Sequence, residues 1–213
     1  MSLLMVVVLT TFIAWSLRVS FLGFDALADL TLAGVLNEVL RAVIFVVPVL
    51  LYLRYAERAP ALVFLRIRAP GRGAAWLLPL LGALLACWFL LLDRVIGDGR
   101  AGGAAAAVVI FTVFSPATLV EEIYFRGFLL NKLRQATGFW RANLASAVLF
   151  GLIHVPGWLA LGRFATSFVA VDFVGLVVFG MLFGWAMVRT GSLWSAYGLH
   201  ALHNLLVVLL LSP

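Results

Sequence analysis

Long apolar runs, several close to twenty residues, recur along this chain and leave it few ways to fold. LLMVVVLTTFIAW lies near one end and FVAVDFVGLVVFGMLFGWAMV near the other. A soluble helix keeps a polar stripe for water, and these segments mostly lack one. A helix rises about 1.5 Å per residue, so about 20 residues cross the hydrocarbon core of a bilayer. Backbone polar groups in that core must satisfy one another, which leaves helices or closed barrels. The runs are continuous rather than alternating, which points to helices. Of 213 residues, 65% are hydrophobic and only 11% charged, so no soluble domain is expected. The expected fold is an all-α integral membrane protein, a bundle of about seven transmembrane helices forming a single domain over residues 1–213. The spans fall near 2–22, 33–53, 74–92, 103–130, 143–161, 168–188 and 193–212. The first run has no preceding charged segment and no clear small-x-small cleavage site, so it reads as a span rather than a signal peptide. The single cysteine, Cys87, reads as a small buried hydrophobe.

The formal net charge of +6 resides largely in short loops. Arg54, Arg58, Arg66, Arg68 and Arg72 face only Glu57 between the second and third spans. Lys132, Arg134 and Arg141 follow the fourth span, and Arg189 follows the sixth. On the other side Arg18 is outnumbered by Asp25 and Asp29, Asp93 and Asp98 balance Arg94 and Arg100, and Arg163 is left over. The positive-inside rule then places the amino terminus in the cytoplasm of a cell-membrane protein. Loop charge of this kind orients spans and implies no nucleic-acid partner. Tyr52, Tyr55, Trp76, Trp140, Trp158 and Trp194 sit near span ends and read as interfacial anchors.

Ionisable groups inside apolar spans are costly, about 2.5–3.5 kcal/mol each on insertion scales, and need a partner or a wet cavity. Here they concentrate in three spans: Glu121, Glu122 and Arg126; His154; and His200, His203 and Asn204. Counted from the basic loops, Glu121, His154, His200 and Asn204 all lie roughly 10–17 Å below one surface. Antiparallel spans therefore bring them into one layer. Glu122 and Arg126 share a helical face as a neutralising pair, leaving Glu121 turned toward a cavity. His200 and Asn204 share another face, and His203 reads as a supporting helix contact. Asn37, Glu38 and Arg41 form a further polar patch, read as a neutral local cluster in preference to a cavity lining, and Asp172 stands without a partner near the external end.

The segments EEIYFR (Glu121–Arg126), FGLIH (Phe150–His154) and HALHN (His200–Asn204) resemble, in order, the EExxxR, FxxxH and HxxxN motifs of the CPBP family. That family comprises the CAAX-protease and bacteriocin-processing, or Abi, intramembrane proteases. The likeness spans about Phe111 to Leu209, within a motif-bearing core of residues 103–212, and the first three spans carry no motif. It implies hydrolysis of membrane-associated protein or peptide substrates. The compact chain with short loops is similar to prokaryotic members, hence a plasma-membrane location with membrane lipid as surroundings. The motifs assign neither prenylated substrates nor an oligomeric state.

Amide hydrolysis requires an activated water and stabilisation of the carbonyl oxygen as it becomes negative. Glu121 is the expected general base, and His154 holds the water or relays its proton. His200 and Asn204 stabilise the oxyanion, and Glu122 with Arg126 supports the helix; these roles match those implied by the resemblance. No cofactor is expected on this reading. The alternative is zinc held by Glu121, His154 and His200, a two-histidine, one-carboxylate set with an open position for water. A non-catalytic immunity protein, or a transporter using the same groups for protons, completes the alternatives.

Overall fold

The computed structural model describes residues 2–22, 32–71, 79, 81–83, 86, 116–165 and 168–211. Helix α1 runs Leu3–Leu22, and α2 runs Leu32–Tyr52 before widening into a π-helical turn over Leu53–Glu57. A short α3, Ala61–Phe64, follows. Helix α4, Pro116–Glu122, passes into a π-helix at Ile123–Leu130 and then into α5, Asn131–Thr137. Helices α6 (Phe139–Leu152) and α7 (Val155–Ala160) are two parts of one span, and a 3-10 turn covers Arg163–Ala165. Helices α8 (Phe168–Thr190) and α9 (Leu193–Leu211) complete the described chain. The fold is all-α, with no strand among the described residues.

Four described helical stretches are long and apolar enough to cross a membrane: Leu3–Leu22, Gly34–Glu57, Phe139–Ala160 and Val169–Thr190. Most of the expected third span, the first half of the fourth, Trp76, Cys87 and the loop acids Asp25, Asp29, Asp93 and Asp98 lie outside the described residues. Exposure is inverted relative to a soluble protein. On α1, Leu9, Ile13 and Leu17 are exposed, and Phe21 is 82% exposed, while Arg18 is only 4% exposed. Large apolar side chains facing outward around buried charge are what hydrocarbon surroundings require. This is a multi-pass membrane protein.

The core is an aromatic chain joining the helices. Trp15, Phe45, Tyr124, Phe125 and Phe150 are buried, with Phe45 on Tyr124 at 5.2 Å and Phe125 on Phe150 at 5.4 Å between ring centroids. Edge-to-face pairs of this kind fix the rotation of each helix as well as its burial. A second cluster, with Leu130, Phe183, Met187, Leu193 and Leu199, packs α8 and α9 against the π-helix.

One end of the bundle is stitched by polar contacts among the basic segments. Lys132 pairs with Glu57. Asn131 Nδ2 donates to the carbonyls of Gly127 at 2.9 Å and Phe64 at 3.1 Å. Arg68 Nε donates to Gly191 O at 2.8 Å, and Ser192 Oγ donates to Arg68 O. Gly191 has φ of +70°, and a Cβ there would stand 2.8 Å from Arg68 Nη2, so the turn needs glycine on both counts. These bonds fix where α9 begins, and so how deep His200 lies. The ends of α2, the π-helix and α8 thus share one side of the bundle, as alternating spans require.

Candidate active site

Helix α4 presents two adjacent carboxylates with different surroundings. Glu122 is fully buried, whereas the Glu121 side chain is 14% exposed. Glu122 Oε1 accepts from Arg126 Nη1 at 2.9 Å and from His200 Nδ1 at 2.8 Å. Arg126 is itself buried, its guanidinium 4.2 Å from the ring centre of Phe150 and 5.5 Å from that of Phe183. A charged pair so placed holds only because each charge has the other and polarisable ring faces close by.

His200 is oriented on several sides. Its ring stacks on Phe183 at 5.2 Å and 19°, and meets Phe150 nearly edge-on at 5.6 Å. With Nδ1 on Glu122, Nε2 lies 4.0 Å from Glu121 Oε2. The pairing of Glu122 with Arg126 expected from spacing is present. Its bond to His200 was not legible, because helical spacing says nothing about a partner 78 positions away.

His154 sits where a span breaks. Pro156 has no N–H for the Leu152 carbonyl, so the helix ends at Leu152 and restarts at Val155. His154 Nδ1 donates to Phe150 O at 2.9 Å, which leaves Nε2 as the acceptor of a neutral ring. The His154 ring also packs on Phe150 at 5.2 Å, so both histidines adjoin one phenylalanine. Asn204 Nδ2 donates to Thr118 Oγ1 at 3.1 Å, linking α9 to α4. His203 packs on Phe179 at 4.5 Å with Nδ1 3.3 Å from Asn204 Oδ1.

Four readings require correction. Arg41 is not confined to a local patch: besides Glu38 at 3.8 Å it reaches Glu121 Oε1 at 3.8 Å, so α2 contributes to the site. Asp172 is partnered, accepting from Trp158 Nε1 at 3.0 Å. Trp158 is consequently buried rather than interfacial, and tilts against His154 at 6.2 Å. Tyr52 is also buried, edge-on to Phe128 at 5.2 Å, whereas Tyr55, Trp140 and Trp194 remain exposed at span ends. Two further residues were missed. Trp15 donates to Ile153 O at 2.7 Å beside His154, and Arg18 turns inward onto Trp15 at 5.0 Å. Their only sequence signal was a tryptophan and an arginine three apart on an otherwise apolar helix.

Among the described residues no group of three His, Cys, Asp or Glu side chains gathers to hold a metal ion. His200 commits Nδ1 to Glu122, and its other nitrogen stands 4.0 Å from the nearest Glu121 oxygen.

Residues 102–206 match the family described as type II CAAX prenyl endopeptidase Rce1-like. No curated protein and no solved structure matches the chain. The matched segment contains all three motifs and every side chain bonded to Glu122. Taken with the helical membrane fold, this match is consistent with a membrane protease of the CPBP family.

Proposed function

We propose that the chain is an intramembrane endopeptidase that hydrolyses peptide bonds of membrane-associated proteins or peptides without a metal. Glu121, the more accessible carboxylate, takes a proton from water as the water oxygen attacks the carbonyl carbon. The π-electron pair of the carbonyl moves to its oxygen. Asn204 stabilises that oxyanion with its amide hydrogen not engaged by Thr118. With hydrogen on both ring nitrogens, His200 donates to Glu122 through Nδ1 and to the oxyanion through Nε2. His154, its Nδ1–H fixed on Phe150 O, holds the water through Nε2 and relays the proton to the departing amine as the C–N bond breaks. Glu122 and Arg126 position His200 and do not touch substrate.

The observation that carries this reading is the division of labour between neighbours: one glutamate buried and held through Oε1 by Arg126 and His200, the other more accessible to water. The site lies nearer the cytoplasmic face, with the amino terminus on that side, a reading supported by the basic segments gathered at one end of the bundle. The test is cleavage of a membrane-tethered peptide by the purified chain in lipid nanodiscs. Glu121→Ala and His154→Ala should each abolish cleavage while the protein remains folded; cleavage retained in both would remove the assignment.

A further inference from the structure

Beside Glu121 lies a polar cluster whose bonding is incomplete. It comes from α1 and α2, outside the matched segment 102–206. Arg18 Nε, Nη1 and Nη2 are all buried with no hydrogen-bond partner, and so are Arg41 Nε and Glu38 Oε2. Arg18 makes no ion pair among the described residues; its guanidinium rests on the Trp15 ring at 5.0 Å, and that of Arg41 lies 5.1 Å from the same ring. Arg41 approaches Glu38 and Glu121 at 3.8 Å each, distances of an ion pair without a formed hydrogen bond. Two cations thus share one indole, and among the described residues one of them forms neither an ion pair nor a hydrogen bond, in an interior where unpaired charge is strongly disfavoured. Buried unsatisfied groups call for an explanation, and a bound ligand is one.

We propose that Arg18, with Arg41, forms a carboxylate-binding subsite for the peptide that Glu121 acts upon. This rests on the peptidase reading and adds the chemistry of the substrate. A guanidinium fork matches a carboxylate bidentately, and a carboxylate is the anion a peptide carries. The source is either the free carboxyl terminus or an acidic side chain. The Trp15 ring keeps the two guanidinia close and Arg41 adjoins Glu121, so the anion lies within about four extended residues of the cleaved bond. Trp15 is fixed by its bond to Ile153 O, so the subsite is rigidly tied to the helix break that carries His154.

The test reads binding, which separates it from turnover. A short N-acylated fluorescent peptide is prepared with a free terminal carboxylate, as its terminal amide, and as the amide with aspartate among its last four residues. Anisotropy on the full Glu121→Gln chain in nanodiscs should show one carboxylate form binding about ten- to a hundredfold more tightly than the plain amide. Which form does so identifies the source. Arg18→Gln should bring the tighter-binding form down to the plain amide's affinity and leave the amide unchanged, with Arg18→Lys intermediate. Equal affinity for the three peptides, a comparison that needs no Arg18 variant, overturns the subsite; so does an equal loss for all three in Arg18→Gln. Either result leaves the peptidase reading intact, since that stands or falls on cleavage.

Discussion

His200 Nδ1 lies 2.8 Å from Glu122 Oε1, so the histidine of the seventh expected span is oriented by the carboxylate next to Glu121 rather than by Glu121 itself. Adjacent glutamates in one motif therefore carry different burdens. Glu122→Ala strips Arg126 of its only ion-pair partner among the described residues and frees His200. Leaving a buried cation unpaired costs on the order of 3–5 kcal/mol, so this variant should lose thermal stability in detergent as well as activity. Glu121→Gln should lose activity with little change in melting temperature. If the two variants melt alike, the division of roles is wrong.

Metal dependence gives a second measurement. The proposed reaction uses Glu121, His154, His200 and Asn204 alone, so prolonged chelation should leave the cleavage rate unchanged. Activity that vanishes with 1,10-phenanthroline and returns on adding zinc would instead require His200 to leave Glu122 and join Glu121 on the ion.

The packing of α6 on α8 gives a third. A Cβ on Gly180 would lie 3.0 Å from Ala147 Cβ and 3.1 Å from Arg126 Nη2, both tighter than ordinary contact. Gly180→Ala must therefore push α8 away from α6 or displace Arg126, and overpacking of this kind costs about 1–3 kcal/mol. Gly175, one and a half turns earlier on the same helix, has nothing within 4 Å of its would-be Cβ. Gly175→Ala should be neutral or slightly stabilising, since helical glycine is disfavoured by about 0.5–1 kcal/mol relative to alanine. Thermal unfolding of the pair separates local crowding from a general intolerance of α8.

The polar residues of the candidate site were legible because apolar spans make each polar group conspicuous. Glu121, Glu122, Arg126, His154, His200 and Asn204 stood out on cost, and loop positions set a common depth for Glu121, His154, His200 and Asn204. Arg18 escaped for the opposite reason. Near a span end a lone arginine looks like a loop charge, and only the packing of α1 reveals that it faces Trp15. Trp158 was misread similarly, since a boundary tryptophan has no sequence mark that distinguishes lipid from Asp172. The π-helix at Ile123–Leu130 had no signal at all, because its apolar residues suit an α-helix equally.

A fourth prediction concerns pH. Lys132, outside the spans, has its ammonium held above the ordinary lysine value chiefly by its hydrogen bond to Glu57. A raised folded value contributes stability in full below the unfolded pKa, about 10.4, and loses it as pH rises through the folded value. Lys132→Met should therefore reduce stability by the same small amount, about 1 kcal/mol or less, at pH 7 and at pH 9. A deficit that disappears between those two pH values would mean that a different group controls this contact.

Orientation gives the last test. Glu57, Lys132 and Ser192 lie at one end of the bundle, tied by the Lys132–Glu57 pair and the Ser192–Arg68 bond. Gln135 is exposed three residues beyond Lys132, while Phe164, 52% exposed, follows α7 after the chain has turned back across the bundle. The basic residues at the first end should hold it in the cytoplasm. In a Cys87→Ser background, a membrane-impermeant maleimide applied to intact cells should label Phe164→Cys and spare Gln135→Cys until the cells are opened. The reverse pattern would turn the bundle over. Because Glu121 is only about ten residues from Asn131 along the helical axis, roughly 15 Å, it would also move the cleavage site from the cytoplasmic to the external half of the bilayer.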